Sequence, residues 1–319
     1  TLDEAKKRNL SIEDVDSLTG NIIGRPKSAT FRTADVVGLD TMAFVAKTAY
    51  DKCVDDAERE IFKIPDYLKT MLDNKWLGQK SKQGFYKKID KGVIYSIDLD
   101  TLEYSPMKKK RYGAIAISKE KTYLKDKLNA VVRSNDLGGE FLWASISRSL
   151  LYSIDNLNEI SDGITSIDNA LKWGFGWDMG PFEVLDAIGL DYFISRLKKE
   201  GTAIPKWINE MYDNGFSCFY KYENGCKMYY CPNYKDYISL NLHEKEINFS
   251  LFKKNNNVIN KHWSASLVDL NDGVAGLELH SVLKPELNPI DGSLTQMLAF
   301  SLEWVKDNNY KGLVISSDG

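Results

Sequence analysis

The residues best suited to chemistry sit in a turn. Gly24, Arg25, Pro26 and Lys27 form the string GRPK, and Ser28, Thr30, Thr33 and Asp35 follow within a few residues. Two cations flanking a proline suit the oxygens of a phosphate, and the hydroxyls beside them could hydrogen-bond a bound molecule. A plainer reading stands beside this one: Arg25 caps or pairs within its own domain, Lys27 is solvated, and at least one hydroxyl caps a helix. His243, His262 and His280 are scattered, with no companion ligand at metal spacing, so no metal is expected. Cys218, Cys226 and Cys231 lie close together without CxxC spacing and read as packing or free thiols. Gly174-Phe-Gly176-Trp-Asp-Met-Gly180 is the nearest approach to a dinucleotide-binding fingerprint. It follows a helical segment and not a strand, and its last glycine is misplaced, so it is not expected to touch a dinucleotide phosphate.

The elements that must position these residues come in two similar sets. Aligning Phe31 with Phe182 places Asp35 on Asp186, Gly38 on Gly189, Leu39 on Leu190 and Asp40 on Asp191. Upstream, Ile12, Val15 and Asp16 match Ile164, Ile167 and Asp168 with one residue gapped. Further on, Met71-Leu72-Asp73-Asn74 answers Met211-Tyr212-Asp213-Asn214, and Phe85-Tyr86-Lys87 answers Phe219-Tyr220-Lys221. A unit of roughly 100 residues therefore occurs twice, a duplicated domain and not a solenoid of short repeats. Recurrence of Asp35 and Asp186 in both units favours a structural role, capping or pairing, over acid–base work. Phe31 and Phe182 read as core anchors.

Each unit reads mainly as helices. Asp14 and Asp16 suit the first turn of a short helix that Gly20 can end. Pro26 and Pro181 mark turns, each followed by a helix. One apolar face is expected through Val36, Val37, Met42, Val45 and Ala49, and another through Phe182, Leu185, Ile188 and Phe193. A β-hairpin should close each unit, Phe85 to Ile97 around DKG and Phe219 to Cys231 around ENG. A charged helix is expected over 119–135 and an apolar one over 139–154. Residues 232–262 read as a polar connector. Beyond it, strands 265–269 and 274–279 joined by an NDG turn, a helix 292–306 and a strand 312–316 are expected.

Length and composition bound the rest. The chain has 319 residues, which allows two or three domains at about 150 residues each. It is 43% hydrophobic and 27% charged, enough for a sizeable core. Mean hydropathy is −0.36, and no apolar run nears the ~18 residues of a membrane span. Lys+Arg 42 against Asp+Glu 45 gives a net charge of −3, no general reason to bind nucleic acid or an anionic membrane. Four cysteines exclude a disulfide scaffold and no signal peptide is evident, so a cytoplasmic, reduced setting is expected. Thr1 opens a stretch that reads as the end of a helix already under way. The apolar run GLVIS at 312–316 resembles a strand buried in a parallel sheet, so a fragment of a longer polypeptide is expected, with a C-terminal edge strand as the alternative.

These motifs in order carry a family resemblance. GRPKSATFRTADVVGLDT (24–41) and GFGWDMGPFEVLDAIGL (174–190) resemble the tandem C-terminal domains of NAD-dependent 3-hydroxyacyl-CoA dehydrogenases of fatty-acid β-oxidation, and WLGQKSKQGFYKK (76–88) resembles the segment closing the first of them. SLVDLNDGVAGLELHSVLKPELNPID (266–291) followed by KGLVIS is similar to the start of an enoyl-CoA hydratase (crotonase) domain. The resemblance implies a mainly α fold: two helical domains of the 6-phosphogluconate dehydrogenase C-terminal-like type, each with a small hairpin, plus a partial α/β crotonase-like segment. The implied divisions are 1–118, 119–231 (degenerate), a connector 232–262 and a truncated crotonase-like segment 263–319.

The resemblance further implies oxidation of a (3S)-3-hydroxyacyl-CoA at C3 by NAD, bound on a Rossmann domain outside these residues. The family's base is a His held by a Glu, assisted by an Asn and a Ser, and none of these is placed here. Ala144 stands where the second unit would carry the Asn. No catalytic residue is therefore expected in this chain. Arg25, Lys27 and Ser28 are the expected substrate-side residues, near the phosphate or adenosine end of CoA. Gly24, Pro26, Phe31, Asp35, Gly180, Pro181, Phe182 and Asp186 are expected to be mainly structural. Relatives with one such unit pair as homodimers, so the two units here are expected to pack as an intrachain pseudo-dimer. A non-catalytic helical assembly or acyl-CoA-binding module is the alternative.

Overall fold

The computed structural model describes residues 1–89, 92–108, 110–223, 226–240, 247–281 and 288–317. Its contacts divide the chain into two compact units, Thr1–Phe219 with Cys231–Lys235, and Tyr220–Tyr230 with Asp236–Gly319.

The first unit is mostly helical. It opens with α1 (Leu2–Lys7) and α2 (Ile12–Leu18), the latter started by a capping box in which Ser11 and Asp14 exchange side-chain-to-backbone bonds. A single 3₁₀ turn, Asn21–Ile23, leads into the GRPK turn, and α3 (Phe31–Val37) and α4 (Leu39–Lys52) follow. Then come α5 (Asp66–Asp73) and a sheet of β1 (Tyr86–Lys88), β2 (Ile94–Ile97) and β3 (Tyr104–Pro106) in that order. The expected hairpin is the β1–β2 pair, with Tyr86 opposite Ser96; Asp90 and Lys91 of its turn lie outside the described residues. The third strand had no alternating pattern to mark it.

The chain continues through α6 (Gly113–Lys119), α7 (Leu124–Val131), α8 (Leu137–Asp155) and α9 (Leu157–Ile160). It then forms α10 (Ile164–Phe175), α11 (Pro181–Ile188), α12 (Leu190–Lys199) and α13 (Lys206–Asp213). The charged helix expected over 119–135 is the shorter α7, and α6 ends at Lys119 where that stretch begins. Leu128, Val131 and Val132 are buried and Leu124 is half-buried.

One expected face is wrong. Val36, Val37 and Val45 are 58%, 54% and 60% exposed. The chain breaks at Gly38, whose φ of +101° only glycine adopts cheaply, so α3 and α4 set their inward faces independently. Phe31 and Asp35 are buried on α3, Leu39 and Ala43 on α4. Gly189 makes the same break, at φ +93°, between α11 and α12. There the expected face holds: Phe182, Leu185, Ile188 and Phe193 are all fully buried, each worth about 1.5–3 kcal/mol of burial.

The second unit carries β4 (Tyr220–Glu223), β5 (Cys226–Cys231) and β6 (Asp236–Ser239) in one sheet. Asn224 and Gly225 of its expected turn lie outside the described residues. It also carries α14 (Phe249–Lys254), β7 (Val258–Lys261), β8 (Ala265–Asp269), β9 (Val274–Leu279), α15 (Gly292–Asp307) and β10 (Gly312–Ser316). The stretch 232–262, read from its polar composition as a connector, thus holds two strands and a helix. Sheet order is β10-β9-β8-β7, with β10 parallel to β9 and the other pairs antiparallel. Ala265, Leu267, Ala275 and Leu277 pack under Met297 of α15. GLVIS is the parallel strand expected, but it lies at an edge, with Val314 and Ile315 38% and 55% exposed.

Glycine at 180 is dictated by a close approach: a Cβ there would lie 2.3 Å from Cα of Asp168. Gly180→Ala should lower unfolding stability by about 1–3 kcal/mol in urea titrations. Gly174→Ala, with open space around it, should leave stability unchanged or raise it by up to about 1 kcal/mol.

Candidate functional site

The GRPK turn is shaped from both sides. Gly24 has φ +70°, and a Cβ there would lie 2.5 Å from Leu124 of α7. Its carbonyl accepts the Asp178 N–H at 2.8 Å, which fastens the turn to the GFGWDMG loop. The Arg25 guanidinium lies over the Trp177 ring, 4.2 Å from its centroid. No carboxylate pairs with it among the described residues, and burial alone lowers its pKa to about 10.

Lys27 and Ser28 face a different space. They line an open cavity of about 1150 Å3 with Arg32, Lys82, Tyr86 and Lys88. The hydroxyls here have defined directions. Thr33 Oγ1 donates to the Ala29 carbonyl at 2.6 Å, so Ser28 Oγ, 2.8 Å away, donates to Thr33. Ser28 therefore offers a ligand lone pairs and no proton. By the same reasoning Thr19 donates to Val15, and Thr30 donates to Thr19. None of these hydroxyls caps α3, although Thr30 sits at its N-cap position.

Asp16 caps it instead. Its carboxylate accepts the N–H groups of Thr30, Phe31 and Arg32 at 3.0, 2.7 and 3.1 Å, and the Tyr86 hydroxyl at 2.8 Å. Burial raises its pKa and pushes the Tyr86 phenol up as well. Asp168 serves α11 the same way, accepting from Phe182 and Glu183 at 2.8 and 3.2 Å. One turn further on, Asp35 accepts the N–H groups of Phe85 and Tyr86, both at 2.8 Å, and Asp186 accepts that of Phe219 at 2.6 Å. The rings follow: Phe31 packs on Phe85 at 4.6 Å and Phe182 on Phe219 at 5.2 Å. Sequence reasoning missed what Asp16 and Asp168 do, though their shared position ahead of Phe31 and Phe182 was the available signal. It also missed Trp177, whose only mark was its place in the loop.

Among the described residues, no group of three or more His, Cys, Asp and Glu could hold a metal ion. The residues do not fit a nicotinamide dinucleotide either. The GFGWDMG glycines follow α10, with Gly176 closing it in the left-handed region, and the first amides of α11 are occupied by Asp168. A helix N-terminus that already holds a carboxylate has no place for a phosphate.

The doubled geometry falls where a family model does. Residues 2–88 and 152–217 match the 3-hydroxyacyl-CoA dehydrogenase, C-terminal domain. Among curated proteins, the chain is 45% identical over its whole length to a Bacillus subtilis (strain 168) protein named "Probable 3-hydroxyacyl-CoA dehydrogenase", covering 39% of it. It is 24% identical over 213 residues, 64% of this chain and 28% of the relative, to a Rickettsia prowazekii (strain Madrid E) protein named "Putative fatty acid oxidation complex trifunctional enzyme". Over 83 residues, 26% of this chain, it is 45% identical to 23% of a Deinococcus radiodurans protein also named "Probable 3-hydroxyacyl-CoA dehydrogenase". The chain thus spans less than half the length of each of these relatives. No described helix is long and apolar enough to cross a membrane.

Burial lifts the Asp35 carboxyl to about 6 from an ordinary 3.8. Since the native carboxyl holds its proton more tightly than the unfolded one, its contribution is full below 3.8 and is lost as pH rises through about 6. Urea midpoints of wild type and Asp35→Asn should therefore diverge in the variant's favour between pH 4 and pH 7. A pH-independent difference would assign the carboxylate no such cost.

Proposed function

We propose that this chain is the helical, substrate-side region of an NAD-dependent (3S)-3-hydroxyacyl-CoA dehydrogenase of fatty-acid β-oxidation. In this reading residues 1–118 and 119–231 are two copies of one helical domain, packed as an intrachain pseudo-dimer. Residues 263–319 open a crotonase-like domain of a polypeptide that is also an enoyl-CoA hydratase, and the setting is cytoplasmic. The observation that carries the reading is the repeated pair of aspartates. Asp16 and Asp168 hold the helix starts, Asp35 and Asp186 hold the closing segments, and Gly38 and Gly189 break the helices alike. The two blocks matched by the family model, and the names of the relatives, support it further.

Hydride transfer from C3 to NAD is assigned to a nucleotide-binding domain outside these residues, together with the His base, so this chain contributes binding and positioning. The cavity beside Lys27 carries four cations, Lys27, Arg32, Lys82 and Lys88, and the lone pairs of Ser28. Cations match the phosphates of CoA, and an acceptor matches the N–H groups of its adenine and amides. In the full-length polypeptide, Lys27→Ala and Lys82→Ala should raise KM for 3-hydroxybutyryl-CoA several-fold and leave kcat within twofold, measured by NADH formation. The 319-residue chain by itself should form no NADH. Unchanged KM in both variants would remove CoA from this cavity. A full-length polypeptide inactive on any 3-hydroxyacyl-CoA would favour the non-catalytic binding module.

A further inference from the structure

Two adjoining cavities in the first unit have no part in that reading. One, of about 400 Å3, is lined by Arg25, Ser145, Arg148, Ser149, Tyr152 and Trp177 among others. The next, of about 460 Å3, shares Ser149, Tyr152 and Trp177 and runs on between α8 and α10 past Ile167, Ala170, Leu171 and Phe175. The first end is polar, and Asp3, Glu4 and Glu58 line it beside the two arginines. Arg148 has its counter-ions in Glu58 and Asp3, and Tyr152 donates to Asp56. Arg25 has none: its guanidinium donates to no acceptor among the described residues and is held by Trp177 alone. Ser145, 8% exposed, lines the same cavity, and its buried Oγ also has no partner. A half-buried cation without a counter-ion and a buried hydroxyl without a partner can both be matched by one oxyanion. The other end is apolar and open, with Ile160 and Phe175 66% and 65% exposed.

We propose that this trough binds a single-chain anionic amphiphile, a fatty carboxylate, with its oxyanion at Arg25 and Ser145 and its hydrocarbon chain along α10. The site joins the turn of the first repeated stretch to the helix α8 of the second, so it exists only where the two are packed together. It does not depend on the dehydrogenase reading.

Calorimetric titration of the full-length polypeptide with decanoate and with 1-decanol, both below their micellar concentrations, tests it. Saturable one-site binding is expected, with decanoate preferred over decanol by tenfold or more. Arg25→Gln should erase that preference while decanol still binds, which also reports that the variant is folded. Ala170→Trp should block both probes by filling the apolar end. Equal affinity for the two probes in wild type, no saturable binding, or indifference to Ala170→Trp would overturn the proposal. So would decanoate binding that appears only when residues preceding Thr1 are removed, since the partner of Arg25 would then be a carboxylate of the polypeptide itself.

Discussion

A carboxylate accepting backbone N–H groups holds this architecture together, four times over. A helix start leaves unsatisfied amides, and an aspartate from elsewhere in the chain closes them. Asp16 and Asp168 do this for α3 and α11. Asp35 and Asp186, carried on those same helices, then fix the amides at Phe85 and Phe219. Hydrogen bonds to a charged acceptor are worth about 1.5–3 kcal/mol each, and at Asp16 and Asp35 they offset part of the cost of taking the carboxylate out of water. It also sets direction: it brings Phe85 onto Phe31 and Phe219 onto Phe182, and the aromatic pairs complete the core of each stretch.

The two stretches are joined by fewer, more specific contacts. Asp178 donates to Gly24, Arg25 lies over Trp177, and α7 lies against both Gly24 and α11. Asn129 of α7 donates to the carbonyls of Ala187 and Ile188 at the end of α11, and Arg133 adds a bond to Ile188. The matching end of α3, at Val36 and Val37, has no such cover among the described residues. The repeat is thus close in its internal bonding and unequal in its surroundings, which is why the valine face is exposed in one stretch and its counterpart is buried in the other.

Most helices and the strands of the second unit were legible because their signals are local. Pro181 at a helix start, the NDG turn at Asn271 to Gly273, and the alternation in 265–279 each specify their own geometry. What was not legible depends on partners distant in sequence. The inward face of α3 and α4 could not be read because burial depends on cover from elsewhere: α7 lies against the end of α11, and nothing matching it lies over Val36 and Val37 among the described residues. The strands at Tyr104 and Asp236 form by pairing with hairpins, not from their own pattern. The turn's cations illustrate the same limit. Composition marks Arg25 and Lys27 as one basic pair, yet one stacks on an indole and the other lines an open cavity.

The internal carboxylates have a further effect on recognition. In many folds a helix start grips phosphate with rigid, directional amides; here two such positions are filled from within. Any nucleotide-bearing ligand is left to long lysine and arginine side chains, which follow a moving charge over several ångströms and impose little geometry of their own. Such a grip tolerates sliding of the anchored end, so discrimination among ligands must come from whatever grasps the opposite end of the molecule.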